Sequence, residues 1–272
     1  MNIEYVKFSP TGNITILVTT PVPREKQPEI AARLLAPDCV GGEQAGFVEA
    51  PADSRATARL QMMGGEFCGN ATMSLGALLA RKDGLRDGEA RDYPLEVSGS
   101  DAPVPCRIRR EGDAWVGTVR MPLPTGLREI EIETDAGPLA VPLVEMPGIA
   151  HLIIPIKAGL DEPQLRRRLP QWNEALGAEA LGALTWDGDA RAIDPLVYVP
   201  TAGTLVREHG CGSGTAAVGS WLALAARRDV EASIRQPGGA ITVRATLSGQ
   251  TITALTITGR VTVVEEGAVE LT

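Results

Sequence analysis

Apolar positions along this chain follow two patterns, one with a period of two and one with no polar face at all. Alternating runs bounded by Gly, Pro, Asn or Asp predict strands over Asn13–Thr19, Ala45–Ala50, Ala56–Met63, Leu95–Ser98, Val104–Arg110 and Trp115–Met121. The same pattern returns at Arg128–Thr134, Leu139–Glu145, His151–Lys157, Leu196–Val199, Ile241–Leu247 and Thr251–Thr258, with Pro237-Gly238-Gly239 as a turn between strands. Amphipathic spacing predicts helices over Pro28–Leu35 and Glu162–Leu176. Two further runs, Cys68–Ala80 and Cys211–Ala223, are small or apolar on nearly every side, so each predicts a helix buried all round.

Those two runs match each other. Set in register, from Cys68 onto Cys211, they share the cysteine, the glycine after it, Thr72 with Thr215, Gly76 with Gly219, Leu79 with Leu222 and Ala80 with Ala223. A glycine inside a helix lowers its propensity by about 1 kcal/mol, so Gly76 and Gly219 at matched places predict close packing against another backbone. The repeat predicts an α+β chain of two halves, each a curved, mostly antiparallel sheet around one central helix. The run Met121-Pro-Leu-Pro-Thr-Gly126 interrupts the strand pattern and sets the boundary, giving domains 1–122 and 123–260.

Composition narrows the function. The 272 residues carry 26 basic against 34 acidic side chains, a net charge of −8. That is the wrong sign for a nucleic-acid binder or a protein held on an anionic membrane. No apolar run reaches the roughly 18 residues of a membrane span, and the start has no basic-then-apolar leader pattern, so a soluble, cytoplasmic protein is expected. Thiols stay reduced there, and the four cysteines do not read as a disulfide framework. None forms a CxxC pair and only two histidines exist, so no metal site is expected. Cys39 and Cys106 read as small buried hydrophobes.

Cys68 and Cys211 stand apart, because each opens a helix. A helix N-terminus offers N–H donors and a partial positive charge, which binds anions and favours a thiolate. Two such ends, one thiol on each, suit inversion at a carbon beside a carboxylate. One thiolate removes the α-proton and the other thiol protonates the opposite face, while Asn70, Ser213 and the N–H groups after each cysteine hold the carboxylate. Other readings exist. His209 beside Cys211 suggests a hydrolytic Cys–His pair, but no third orienting residue is evident and the second cysteine is left without a role. Gly210, Gly212 and Gly214 lack the spacing of a dinucleotide loop. Glu66 suits a favourable charge at a helix start. His151 reads as a structural histidine rather than a base.

Five stretches taken in order carry a resemblance: Ser9-Pro-Thr-Gly-Asn-Ile-Thr-Ile-Leu-Val18, Glu43-Gln44 with Gly46-Phe-Val-Glu49, Glu66-Phe-Cys-Gly-Asn-Ala-Thr-Met-Ser74, Cys211-Gly-Ser-Gly-Thr-Ala216 and Gln236-Pro-Gly-Gly239. With them the chain resembles the diaminopimelate epimerase superfamily, and within it most nearly the histidine racemases of opine-type metallophore synthesis. The resemblance implies two pseudo-symmetric domains, with residues 261–272 returning to the first. It implies a racemase free of pyridoxal phosphate and metal, with Cys68 and Cys211 as its two bases. It places substrate contacts on Asn13, Gln44, Asn70, Glu208, Gly212 and Ser213, and Gly69 follows Cys68 as Gly212 follows Cys211. Glu43, next to Gln44, reads either as a partner for a basic or imidazole side chain of the substrate or as a solvated loop carboxylate. Glu208, three residues before Cys211, reads as a cap of the following helix or as a ligand of the substrate ammonium group, and the resemblance favours the ligand. The implied partner is a free amino acid, and a homodimer is common in the superfamily.

Departures from the family narrow the substrate. Diaminopimelate epimerase has Gly-Asn-Pro-His where this chain reads Gly148-Ile-Ala-His151, and Glu-Arg where it reads Glu208-His209. Ile149 offers no side-chain hydrogen bond, and His209 is a weaker carboxylate clamp than a bidentate arginine, which disfavours a substrate with a distal amino-acid head group. The histidine racemases tend to have Trp-Glu-Asn-Ser-Cys where this chain has Arg207-Glu-His-Gly-Cys211.

Overall fold

The structure, a computed structural model, describes residues 1–271. Residue 272 of the expected returning segment lies outside the described residues. The chain divides into two compact units, Met1–Arg120 together with the chain from Thr258 on, and Met121–Ile257.

The first unit runs β1 (Asn2–Pro10), β2 (Thr15–Val18), α1 (Gln27–Leu35), β3 (Gln44–Glu49), β4 (Ala58–Met62), α2 (Gly69–Lys82), β5 (Ala90–Val97), β6 (Val104–Glu111) and β7 (Ala114–Arg120). The second runs β8 (Gly126–Thr134), β9 (Gly137–Met146), β10 (Ile149–Pro155), α3 (Glu162–Leu176), β11 (Leu181–Asp187), β12 (Ala192–Val199), β13 (Thr204–Arg207), α4 (Gly212–Ala226), β14 (Val230–Gln236) and β15 (Gly239–Ser248). A final strand, β16 (Thr251–Glu270), begins in the second unit and ends in the first.

One topology occurs twice. In the first unit β1–β2, β3–β4, β5–β6 and β6–β7 pair antiparallel, and β2–β3 and β4–β5 pair parallel across α1 and α2. In the second, β9–β10, β11–β12 and β14–β15 are antiparallel, and β10–β11 and β12–β14 are parallel across α3 and α4. Parallel neighbours need a crossover and each helix supplies one. β16 lies beside β7, and its later half, from Val261 on, pairs with β1, which closes the strands of the first unit into a ring with no free edge. α2 runs inside that ring and touches each of β1 to β7.

The two central helices are buried as their sequences dictate. Gly69–Leu78 of α2 are all buried, as are Gly214–Ser220 of α4. The matched glycines mark close approaches, but the neighbours are side chains rather than the backbone that the sequence suggested. A Cβ on Gly76 would lie 2.8 Å from Ile108 Cδ1 and 2.9 Å from Cys106 Sγ on β6. On Gly219 it would lie 2.4 Å from Val243 Cγ2 on β15, the equivalent strand. α3 carries a capping box between Asp161 and Gln164 and ends at Gly177 in the left-handed region (φ 64°). Cys106 is fully buried, and burial pushes its thiol up to about 12. No helix among the described residues is long and apolar enough to cross a membrane.

Four strands lie beyond those predicted: β1, β11, β13 and β14. In β1 the buried positions change phase, from Ile3 and Tyr5 to Val6, Phe8 and Pro10. That change of phase hides the period of two.

Candidate active site

Cys68 is the N-cap residue of α2 and Cys211 that of α4, both with extended backbone. The N-cap is a place for Ser, Thr, Asp or Asn, whose oxygen accepts a backbone N–H from the first turn. Here sulfur takes that role. Cys68 Sγ accepts from Ala71 N at 3.4 Å, and Cys211 Sγ from Gly214 N at 3.3 Å. Each cap is braced by a threonine one turn on, since Thr72 Oγ1 donates to Cys68 O at 2.6 Å and Thr215 Oγ1 to Cys211 O at 2.7 Å. The sequence repeat is therefore a repeat of local structure: sulfur, threonine and helix dipole arranged alike.

The Cys68 sulfur meets a carboxamide. Its thiol donates to Gln44 Oε1 at 3.0 Å. Gln44 Nε2 donates to Asn13 Oδ1 at 2.6 Å and Thr15 Oγ1 at 2.8 Å, which fixes the amide with its oxygen toward the thiol. Asn13 Nδ2 donates to Glu43 Oε2 at 3.2 Å, and Ile14 N donates to Glu43 Oε1 at 3.3 Å. Asn13 is buried directly after a tight turn in which Thr11 and Gly12 both take positive φ (51° and 81°). The structure thus joins Asn13, Glu43, Gln44 and Cys68 in one chain of hydrogen bonds, with Gly69 and Asn70 in the first turn of α2.

The Cys211 side is built differently. Cys211 N donates to Gln236 Oε1 at 2.6 Å, and Gln236 Nε2 donates to Thr215 Oγ1 at 2.7 Å, so this glutamine holds the backbone and not the sulfur. The sulfur lies 3.5 Å from Ser213 Oγ, which lies 3.0 Å from His151 Nε2. Burial pushes the Cys211 thiol well up; Glu208, charged and hydrogen-bonded to it, adds to that, while Ser213 and the Gly214 N–H act in the other direction. His151 is wholly buried, and burial drives its imidazole down to about 3, so it is neutral. Gly212 and Ser213 form the first turn of α4. Sequence reasoning assigned no task to Thr15 or Gln236, although Thr15 lies in the first of the five matched stretches and Gln236 opens the last.

A cavity of about 690 Å³ opens at the far end of α4 beside Leu224, Arg227, Leu247 and Gln250. Its lining holds no thiol, imidazole or carboxylate, so it is not the reacting site.

Residues 2–269 match the family model described as the histidine racemase CntK N-terminal domain. The chain is 32% identical to a histidine racemase of Staphylococcus aureus (strain Mu50) over 274 aligned residues, which cover 97% of this chain and 96% of the other. It is also 32% identical to a histidine racemase of Fusobacterium nucleatum subsp. nucleatum over 244 residues, 87% and 86% of the two chains. Among solved structures, a hydroxyproline epimerase from Agrobacterium vitis superposes with a TM-score of 0.70 at 17% identity, covering 98% of this chain and 92% of that one. A PhzC/PhzF protein from Clostridium difficile does so at 0.61 and 12%, covering 99% and 100%. At these identities the two structures share the fold.

Proposed function

We propose that this chain, which belongs to the histidine racemase CntK family, interconverts L- and D-histidine with two cysteines and no cofactor. The observation that carries the reading is the matched pair of sulfur N-caps on two buried helices in a chain of that family. A thiolate is the base that a helix N-terminus favours, and the backbone donors of the same turn suit a carboxylate whose charge grows as the α-proton leaves.

The protons balance over one turnover. The α-proton passes to the thiolate of one cysteine and leaves an enolate-like carbanion. The thiol of the other cysteine gives its proton to the opposite face of the carbon. The enzyme ends with the two protonation states exchanged, and the reverse reaction restores them. The first turns holding Gly69, Asn70, Gly212 and Ser213 bind the carboxylate. Glu208 binds the ammonium group. Glu43, fixed by Asn13 and Ile14, is a carboxylate suited to an imidazole N–H. The enzyme works in the cytoplasm, and its product feeds opine-type metallophore synthesis, in keeping with the family it resembles.

Incubating the purified, reduced protein with L-histidine, D-histidine, proline or diaminopimelate, and separating enantiomers by chiral chromatography, tests this. Histidine is inverted from either side, without added pyridoxal phosphate and in the presence of a chelator. Absence of histidine inversion, or faster inversion of another amino acid, overturns the substrate assignment.

A further inference from the structure

We infer that His151 is a positioning residue: its neutral imidazole holds the Ser213 hydroxyl so that the hydroxyl proton points at the Cys211 sulfur. The inference rests on the reading of Cys211 as a reacting thiol.

The geometry leaves little choice of proton positions. His151 projects from β10 opposite Gly182 of β11 in parallel register. Its Nδ1 lies where a Cβ on Gly182 would be 2.3 Å away, so the ring fills space that any other residue at 182 would occupy. Nδ1 has no hydrogen-bond partner among the described residues. A buried N–H without an acceptor is costlier and rarer than a bare acceptor, so the single ring proton sits on Nε2. Nε2–H then donates to Ser213 Oγ at 3.0 Å. With that lone pair used, the hydroxyl's one proton is free for the sulfur at 3.5 Å. The imidazole stays neutral because burial lowers its pKa.

The sulfur of Cys211 thus sees two donors that favour its thiolate, Ser213 O–H and Gly214 N–H, and one carboxylate, Glu208, that favours its thiol. A racemase base must hold both states in turn, so opposing influences on one sulfur suit it. The hydroxyl cannot serve sulfur and substrate with one proton. Ser213 therefore binds the carboxylate through its backbone N–H alone.

The test compares wild type with Ser213→Ala, His151→Leu, His151→Gln and the double variant Ser213→Ala/His151→Leu. Readouts are the alkylation rate of each cysteine by iodoacetamide at fixed pH, followed by peptide mass spectrometry, and kcat and KM for both histidine enantiomers. Ser213→Ala and His151→Leu each slow Cys211 alkylation about tenfold and lower kcat about tenfold to hundredfold, with KM nearly unchanged. The double variant is no worse than either single. His151→Gln, whose amide N–H stands near Nε2–H, recovers most of the loss, and Cys68 alkylates at the wild-type rate throughout. A merely structural histidine predicts the opposite sign, because a loosened core exposes Cys211 and speeds its alkylation. Wild-type or faster Cys211 alkylation in His151→Leu, or fully additive losses in the double variant, overturns the inference. A Cys211→Ala control separates the two levels. If it still inverts histidine, the two-thiol reading falls; if it is inactive while His151→Leu behaves as wild type, this inference alone falls.

Discussion

The two cysteine sites share their backbone and differ at their sulfurs. Cys68 and Cys211 both cap a buried helix, both accept from the third N–H and both are braced by a threonine. Beyond that, Cys68 gives its proton to a carboxamide oxygen, whereas Cys211 lies between a hydroxyl, a backbone N–H and a carboxylate. Shared backbone is what a reversible two-base reaction demands. Unequal sulfurs are what an enzyme needs if it is to rest with one thiol and one thiolate rather than with two alike. The lesson is that symmetry of the fold sets where the groups stand, and side chains of separate origin set what each does.

The sharpest way to break the comparison is to remove each sulfur in turn. Cys68→Ala and Cys211→Ala each lower histidine inversion at least about a thousandfold, read by chiral chromatography, because a missing acid is as damaging as a missing base. Inversion retained in one of them would make the sites unequal in role as well as in surroundings.

Glu208→Gln tests the electrostatic difference. The carboxylate keeps the proton on Cys211, so its neutralisation lowers that thiol's pKa and speeds Cys211 alkylation at a given pH by roughly tenfold, while Cys68 is unaffected. An equal change at both cysteines would contradict the local account.

Packing distinguishes the two helices more mildly. Gly219→Ala drives a methyl against β-branched Val243, a stiff side chain, and lowers stability by about 2–3 kcal/mol. Gly76→Ala meets Ile108 Cδ1 and Cγ1 at 2.8 Å and Cys106 Sγ at 2.9 Å, a milder overlap than 2.4 Å at Gly219, and lowers it by about 1 kcal/mol less. Chemical denaturation of the two variants checks the order.

The smallest effect is the pH dependence contributed by His151. Its folded pKa of about 3 lies below the unfolded value of 6.5, so the unfolded chain binds the extra proton first. The stabilisation is complete above pH 6.5 and is lost as pH falls toward 3, with a slope of at most about 1.4 kcal/mol per unit. His151→Gln flattens that part of the stability profile.

What the sequence disclosed follows the same division. The central helices were legible because a run with no polar face can only be buried, and α3 because its caps and amphipathic face agree. The caps themselves could be read from a cysteine followed by Gly and small residues. β1 was not legible, because its buried positions change phase between Tyr5 and Val6, nor β11, whose Leu181-Gly-Ala-Leu-Thr-Trp186 run has few β-branched residues. At the sites, Gln44 and Asn13 were found through their resemblance to a family. The sulfur partners of Cys211 were not found as a group. His151 is 60 residues away on another strand, and its meeting with Ser213 is a product of β10 packing beside the start of α4. Local pattern carries no trace of such a contact.

The central claim is that two different thiols handle the two faces of one carbon. Its most direct test is early-time mass spectrometry of each enantiomer when L-histidine is turned over in D₂O. The account predicts deuterium at the α-carbon of the D-histidine formed, with the remaining L-histidine unlabelled, because the second thiol supplies solvent-derived deuterium and the first returns the original proton. Deuterium entering both enantiomers at equal rates, or D-histidine formed without it, would mean a single group serves both faces and would contradict the account.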